Sequence, residues 1–428
     1  MDNEDSLIFV SIAAYRDLQL VPTVEDCLQK ASNPELLRFG VCWQHGPDEP
    51  AFPYSDDPRF RVLDVDWRES QGACWARAEI MKLWQGEDWF LQIDSHCRFA
   101  THWDTRLLEE MVQTNSERPI LTTYAAPFVP GRQEVLAGSP LMIAFQSFTS
   151  DGLPKLKPAE FPAGEKPSAP VRARFLSAGF LFTLGLFVEE VPYDPELYFM
   201  GEESSMTVRA FTTGYDLFHP HESLVWHDYL RNDARKHWGD HNEENFAANT
   251  VGSRWSDRDK RSRNKVQLLL RGNPVDSFGL GTKRSLADYE QYAGLSFRLC
   301  KAQLPTVRGL EPPNAEPPVD WAERILPWIA KVTVPRNALP AGALDDPAFW
   351  YLGILDDQGY EITRVDLEAE KLVPLRGDSE ELVLFCEFLS ETSPQRWTLW
   401  PLSRSRGWLD RLEGKLPPED CAVLEEEA

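Results

Sequence analysis

Positive charge is scarce in this sequence. Its 44 Lys and Arg face 68 Asp and Glu, a formal net charge of −24 over 428 residues. That balance sets aside nucleic-acid backbones and anionic membranes as principal partners. A nucleotide ligand stays admissible, because a local basic cluster or a metal ion can hold a diphosphate inside an acidic protein. No stretch approaches the roughly 20 apolar residues of a membrane span. Met1 to Asp5 is acidic and leads directly into an apolar strand, unlike a secretory leader. There are only seven cysteines, an odd number, and no Cys-x-x-Cys pair; free thiols in a reducing cytoplasm are the simplest reading. A phosphate-binding Gly-x-x-x-x-Gly-Lys-Ser/Thr loop, a Gly-x-Ser-x-Gly elbow and a dinucleotide fingerprint are all missing, and with them the chemistries those motifs carry.

The 42% hydrophobic content is ordinary for a soluble globular chain. The length is enough for two domains. Trp and Phe are plentiful, which suits carbohydrate handling and ordinary cores alike.

Apolar strands alternate with helical patterns through the first part of the chain. Strands are expected at Leu7–Ile12, Leu37–Trp43, Trp89–Ile93 and Ile120–Thr123, and helices at Val21–Ala31, Gly72–Trp84 and Thr105–Thr114. This alternation predicts an α/β layer on a mostly parallel sheet, with ligands at the carboxyl ends of the strands. Pro130–Pro170 reads as a long excursion with a small hairpin. A basic helical stretch follows at Asp257–Arg271. The proline-rich segment 305–319 reads as a linker. The segment 320–416 reads as a smaller β-rich domain, with strands at Trp350–Leu355, Glu381–Phe388 and Arg396–Leu402. The acidic tail 417–428 reads as frayed.

The most informative segment is Trp89-Phe-Leu-Gln-Ile-Asp94-Ser95-His96. An apolar strand ends in an acid and a histidine two positions apart. Strand alternation would point both the same way, where carboxylate and imidazole could hold one divalent ion against a diphosphate. The competing reading is a strand-end Asp capping a turn beside an exposed His.

Asp94-Ser95-His96-Cys97 resembles the Asp-x-His form of the metal-binding motif in GT-A glycosyltransferases, as in the mucin-type polypeptide GalNAc-transferases. Glu69 to Arg77, with Gly72 inside it, resembles the Gly-x-x-x-Ala-Arg element that precedes that motif. Tyr198-Phe-Met-Gly201-Glu202-Glu203 resembles their Gly-Glu segment. A closer resemblance is to the protein-hydroxyproline and polypeptide α-N-acetylglucosaminyltransferase family. It runs through Ile8 to Tyr15-Arg16-Asp17, Ala178-Gly179-Phe180, Val191 to Pro195, Thr213-Gly214-Tyr215 and Gly279 to Ser285, and covers roughly the first 300 residues.

The resemblance implies a GT-A catalytic domain over 1–304 and transfer of N-acetylglucosamine from UDP-GlcNAc, with retention, to a hydroxyl of a protein or peptide. It implies Mn2+ or Mg2+ held by Asp94, His96 and a later histidine. His227, in Trp226-His227-Asp228-Tyr229, suits that place better than His219 or His221. Tyr15, Arg16, Gly72, Arg77, Asp94, Ser95 and Gly179 would surround the nucleotide and sugar. Glu202, Glu203 and Arg77 would be catalytic, and Arg263 and Lys265 would reach the phosphates from a closing lid. Each has a plainer reading: Arg77 and Arg16 as surface ion pairs, the two glutamates as acids at a helix start, the basic run as a solvated helix face. At the level of function the rivals are a non-catalytic sugar-nucleotide-binding protein and a UDP-sugar hydrolase.

Overall fold

A computed structural model describes residues 6–131, 136–161, 167–231, 234–372, 375 and 379–424. These group into two compact units. The first runs to Ala293, except for Phe145–Phe148, which group with the second, Gly294–Ala428. The division thus falls before the proline-rich 305–319 stretch. That stretch is tied locally: the Asn314 amide donates to Gln303 Oε1 at 2.8 Å and to Thr306 Oγ1 at 2.9 Å.

The first unit opens with β1 (Ile8–Tyr15), α1 (Leu20–Lys30), β2 (Leu37–His45), β3 (Phe60–Asp66), α2 (Ala73–Met81), β4 (Trp89–Asp94), β5 (Cys97–Phe99), α3 (Trp103–Gln113), β6 (Pro119–Thr122) and β7 (Ala126–Pro127). It continues with β8 (Met142–Phe148, of which Phe145–Phe148 group with the second unit), β9 (Pro154–Ala159), β10 (Val171–Arg172), β11 (Phe180–Leu184), α4 (Phe187–Glu190), α5 (Glu202–Thr213), β12 (Asp216–His219), β13 (Val225–His227), α6 (His237–Asp240), α7 (Glu243–Ala247) and α8 (Trp255–Leu270).

Eight strands form one sheet in the order β10-β12-β6-β11-β4-β1-β2-β3. β4, β1, β2 and β3 are parallel neighbours. β11 enters antiparallel between β4 and β6 and β10 is antiparallel at one edge; the other six strands run one way, so the sheet is mostly parallel, as expected. The continuous apolar runs of β1 and β4 follow from helices on both faces. Ile8, Val10 and Ile12 of β1 pack in one cluster with Leu20, Val24 and Cys27 of α1 and Trp103, Leu107 and Met111 of α3. Phe9 points the other way and stacks on Phe90. Gly40 of β2 makes room for it, since a Cβ there would lie 2.4 Å from the Phe9 ring and 2.7 Å from Ile80 of α2. Truncating the fully buried Trp103 would cost about 3–5 kcal/mol.

A second sheet, in the order β5-β13-β7, stands where the chain leaves β4. This corrects the alternation argument for Asp94 and His96. Ser95 and His96 form a bend between strands of different sheets, and it is the bend that brings the acid and the imidazole together.

The second unit is β-rich. Leu326–Pro335 lies between Glu381–Ser390 and Cys421–Val423 in one sheet, and Pro347–Leu355 lies between Glu361–Glu368 and Arg396–Ser403 in the other. Ala330, Val332, Leu384, Trp350, Leu352 and Leu399 share one core between them. Part of the tail expected to fray is therefore a strand: Cys421–Val423 gives Leu326–Pro335 its second neighbour. No helix among the described residues is long and apolar enough to cross a membrane.

Candidate active site

A cavity of about 560 Å³ opens at the carboxyl ends of β1 and β4, within the range of small-molecule sites. Its wall includes Tyr15, Gly72, Arg77, Asp94, Ser95, His96, Gly179, Glu202, Glu203 and His227.

The register of the second sheet delivers the last of these. His227 of β13 pairs opposite Cys97 of β5, and the Asp228 N–H donates to the His96 carbonyl at 3.1 Å. The rings of His96 and His227 meet edge to face with centroids 4.5 Å apart. His227 Nε2 lies 3.1 Å from Asp94 Oδ2. One ligand atom from each of Asp94, His96 and His227 falls within 4.8 Å of the other two. The other two histidines weighed for this place are elsewhere. His219 is buried, its Nδ1 2.9 Å from the Thr122 carbonyl, and His221 pairs with Glu110 at 3.0 Å.

The donor set fits a divalent ion with mixed oxygen and nitrogen ligands. His96 Nδ1 donates to Asp17 Oδ2 at 2.8 Å, which fixes the tautomer and leaves Nε2 with its lone pair. Asp17 also accepts from Ser95 Oγ at 2.6 Å and from Arg231 at 3.0 Å. Burial opposes ionisation of Asp17, but His96, Arg231 and Ser95 hold it below the usual carboxylate range. Burial keeps His96 below its ordinary value, so its ring is neutral at pH 7, as coordination requires. Burial also works against the charge on Asp94, yet His227 and Arg77 outweigh it and Asp94 stays ionised. His227 Nδ1 is buried and has no hydrogen-bond partner among the described residues.

Arg77 is not a surface residue. It is 5% exposed, its Nη2 donates to Asp94 Oδ1 at 2.8 Å, and its Nη1 donates to Glu202 Oε1. Both ends of the guanidinium are taken, so Arg77 fixes the two acids rather than standing free for phosphate. Glu203 Oε1 accepts from the Ala178 N–H at 3.0 Å and Oε2 from the Tyr124 hydroxyl at 2.7 Å. Burial, with help from Glu202, pushes its carboxyl up to about 7. Both glutamates open α5 as well, so the helix-start reading and the cavity-wall reading are both correct for them.

Gly72 caps α2 with φ +106°, and a Cβ there would lie 2.9 Å from the Tyr198 ring. Gly179 keeps the backbone close to Asp94, since a Cβ would stand 3.0 Å from Oδ2. Tyr15 donates to Asp240 Oδ2 at 3.0 Å. Arg16 is buried, with φ +47°, and is paired with Glu49 at 2.7 Å, Asp240 at 3.3 Å and Asp48 at 3.4 Å. It is outside the cavity wall.

Arg263 and Lys265 do not line the cavity either. Arg263 is held by Asp151 at 2.6 Å, and Lys265 by Asp194, Glu196 and Asp276 at 2.6–2.7 Å. Their helix α8 is anchored by these acids, which local sequence could not show because Asp151 and Asp194 are distant in the chain. Sequence reasoning also passed over Asp17, although it ends the Tyr15-Arg16-Asp17 run. Tyr124, Lys236, His237 and the exposed Trp238 of the cavity wall gave no motif signal, and the exposed Phe199 and Tyr229 lie inside quoted runs without having been singled out.

The family model described as Glycosyltransferase (GlcNAc) matches residues 7–58 and 54–299. No curated protein matches the sequence. Among solved structures, the chain is similar to GalNAc-T7 with UDP, GalNAc and Mn2+, at 15% identity and TM-score 0.45, covering 70% of this chain and 56% of that one. It is also similar to S. aureus TarS 1–349 in complex with UDP-GlcNAc, at 10% identity and TM-score 0.36, covering 61% of this chain and 72% of that one. The chain thus spans little more than half of the first of these. With more than half of its residues matched by the family model, the chain belongs to the Glycosyltransferase (GlcNAc) family.

Proposed function

We propose that this glycosyltransferase is metal-dependent and retaining, and that it transfers N-acetylglucosamine from UDP-GlcNAc to a hydroxyl of a protein, on Ser, Thr or hydroxyproline. The observation that carries this reading is the meeting of Asp94, His96 and His227 on the wall of one cavity with Glu202 and Glu203. These three side chains would hold Mn2+ or Mg2+, which when bound neutralises charge on a diphosphate leaving group.

Every other step falls to the chain itself. Glu202 and Glu203, on the cavity wall, would accept hydrogen bonds from hydroxyls of the donor sugar, and Tyr15, Ser95 and Gly179 would shape the wall around the nucleotide. In the reaction the bond from the anomeric carbon to the diphosphate oxygen breaks and a bond to the acceptor oxygen forms. A double displacement needs a free carboxylate as nucleophile. Among the described residues, the carboxylates on the wall are Asp94, Glu202, Glu203 and Asp228. The first two are tied to Arg77, Glu203 is hydrogen-bonded through both oxygens, and Asp228 Oδ1 accepts from the Leu230 and Arg231 N–H groups. This supports attack on the same face, with the departing phosphate oxygen taking the acceptor's proton.

The wall also carries Phe199, Tyr229 and Trp238, each at least 46% exposed. A polar donor does not need this apolar surface, and the acceptor segment would dock there. Cys27, Cys42, Cys74, Cys97, Cys386 and Cys421 form no disulfide, which supports a reducing compartment such as the cytoplasm.

A panel of UDP-sugars read by UDP release, with and without Mn2+ and followed by acceptor screening, tests the reading. Release fastest with UDP-GlcNAc, dependent on Mn2+ and raised by acceptor is the expected result. Release indifferent to any acceptor would identify a hydrolase, and binding without release a non-catalytic protein.

A further inference from the structure

Five cations line the cavity: Arg77, Lys155, Arg231, Arg235 and Lys236. Three are committed to acids: Arg77 to Asp94 and Glu202, Arg231 to Asp17 at 3.0 Å, and Arg235 to Asp48 at 3.5 Å. Lys155 is exposed on β9. Lys236 differs from all of these: it is half-buried, and no carboxylate among the described residues comes within 4.0 Å of it.

A half-buried lysine stem on a cavity wall presents its ammonium to whatever enters the cavity. Burial and then the Arg231 charge push Lys236 below its ordinary value, while Asp17 and Asp228 pull the other way from a distance. Among the described residues, Lys236 is therefore a positive charge with no carboxylate partner, on the same cavity wall as Asp94, His96 and His227. An oxyanion arriving there supplies the missing partner, and a flexible point charge such as a lysine suits phosphate.

We propose that Lys236 binds the diphosphate of the sugar-nucleotide donor. This rests on the donor reading above and adds a residue to it. Unlike Arg77, Lys236 carries no carboxylate among the described residues that the ligand must displace.

The test is calorimetric binding of UDP and of uridine to the full chain, in Mn2+ and again in chelator, for wild type, Lys236→Ala and Lys236→Arg. Loss of one charge-assisted contact predicts UDP binding weakened roughly tenfold or more in Lys236→Ala. Uridine, which has no phosphate, should change less than about twofold, and Lys236→Arg should regain most of the loss. The effect should persist in chelator, because the contact is direct. Equal weakening of UDP and uridine would overturn the proposal, as would wild-type UDP affinity in Lys236→Ala; both leave the donor reading standing. Failure of the wild-type chain to bind UDP at all would instead overturn the donor reading, and this assignment with it.

Discussion

Arg77 and Asp94 are joined at 2.8 Å, and the other end of the same guanidinium holds Glu202. The metal motif and the Gly-Glu segment, 108 positions apart by subtraction of 94 from 202, are thus locked by one buried cation. Arg77→Ala leaves the Glu202 carboxylate buried without a partner, so it should cost about 3–5 kcal/mol of stability, beyond any effect on transfer. Urea unfolding measures this. A midpoint equal to wild type would mean that the guanidinium does not anchor the two acids.

Asp17 orients His96 through its Nδ1. Asp17→Asn keeps the shape but weakens that acceptor, and partners of this kind typically set about 10- to 100-fold in metal affinity. Mn2+ titration of the folded variant should show a loss in that range. Undiminished affinity would reduce Asp17 to a local cap.

Phe199 and Trp238 stand exposed on the cavity wall with rings 6.2 Å apart. If the acceptor docks on them, Phe199→Ser with Trp238→Ser should lower the ratio of sugar transfer to acceptor-free UDP release by roughly tenfold, the loss expected from one unburied aromatic contact. An unchanged ratio would place the acceptor elsewhere.

Glu203 titrates at about 7 in the folded chain against an ordinary 4.5. The folded state therefore keeps a proton that the unfolded chain releases over that interval. The contribution of Glu203 to stability is full below pH 4.5 and is lost as pH rises through about 7. Glu203→Gln should flatten the decline in unfolding free energy between pH 4.5 and 7. Parallel curves for variant and wild type would show that Glu203 ionises normally.

The parts of the fold legible in the sequence are those with one dominant signal. β1 and β4, covered on both faces, read as plain apolar runs, and α1 and α3 show one apolar stripe each. β3 was missed because Phe60–Asp66 is an edge strand in which acids interrupt the apolar residues. The antiparallel entry of β11 depends on pairings with β4 and β6 that no local pattern encodes. The same limit governs the site. Asp94 and His96 stand together in the chain and were visible, though for a reason other than strand alternation. Arg77 was visible as a candidate but not as a buried bridge. Lys236 could be singled out only once the pairing of every neighbouring cation was known.

The most direct test of the account is Mn2+ binding to the intact chain, followed by electron paramagnetic resonance, for wild type, Asp94→Asn, His227→Ala and His221→Ala. The account predicts one ion per chain in wild type, nearly lost in Asp94→Asn and His227→Ala and retained in His221→Ala, whose histidine pairs with Glu110 away from the cluster. Ion binding undiminished in folded His227→Ala would contradict it.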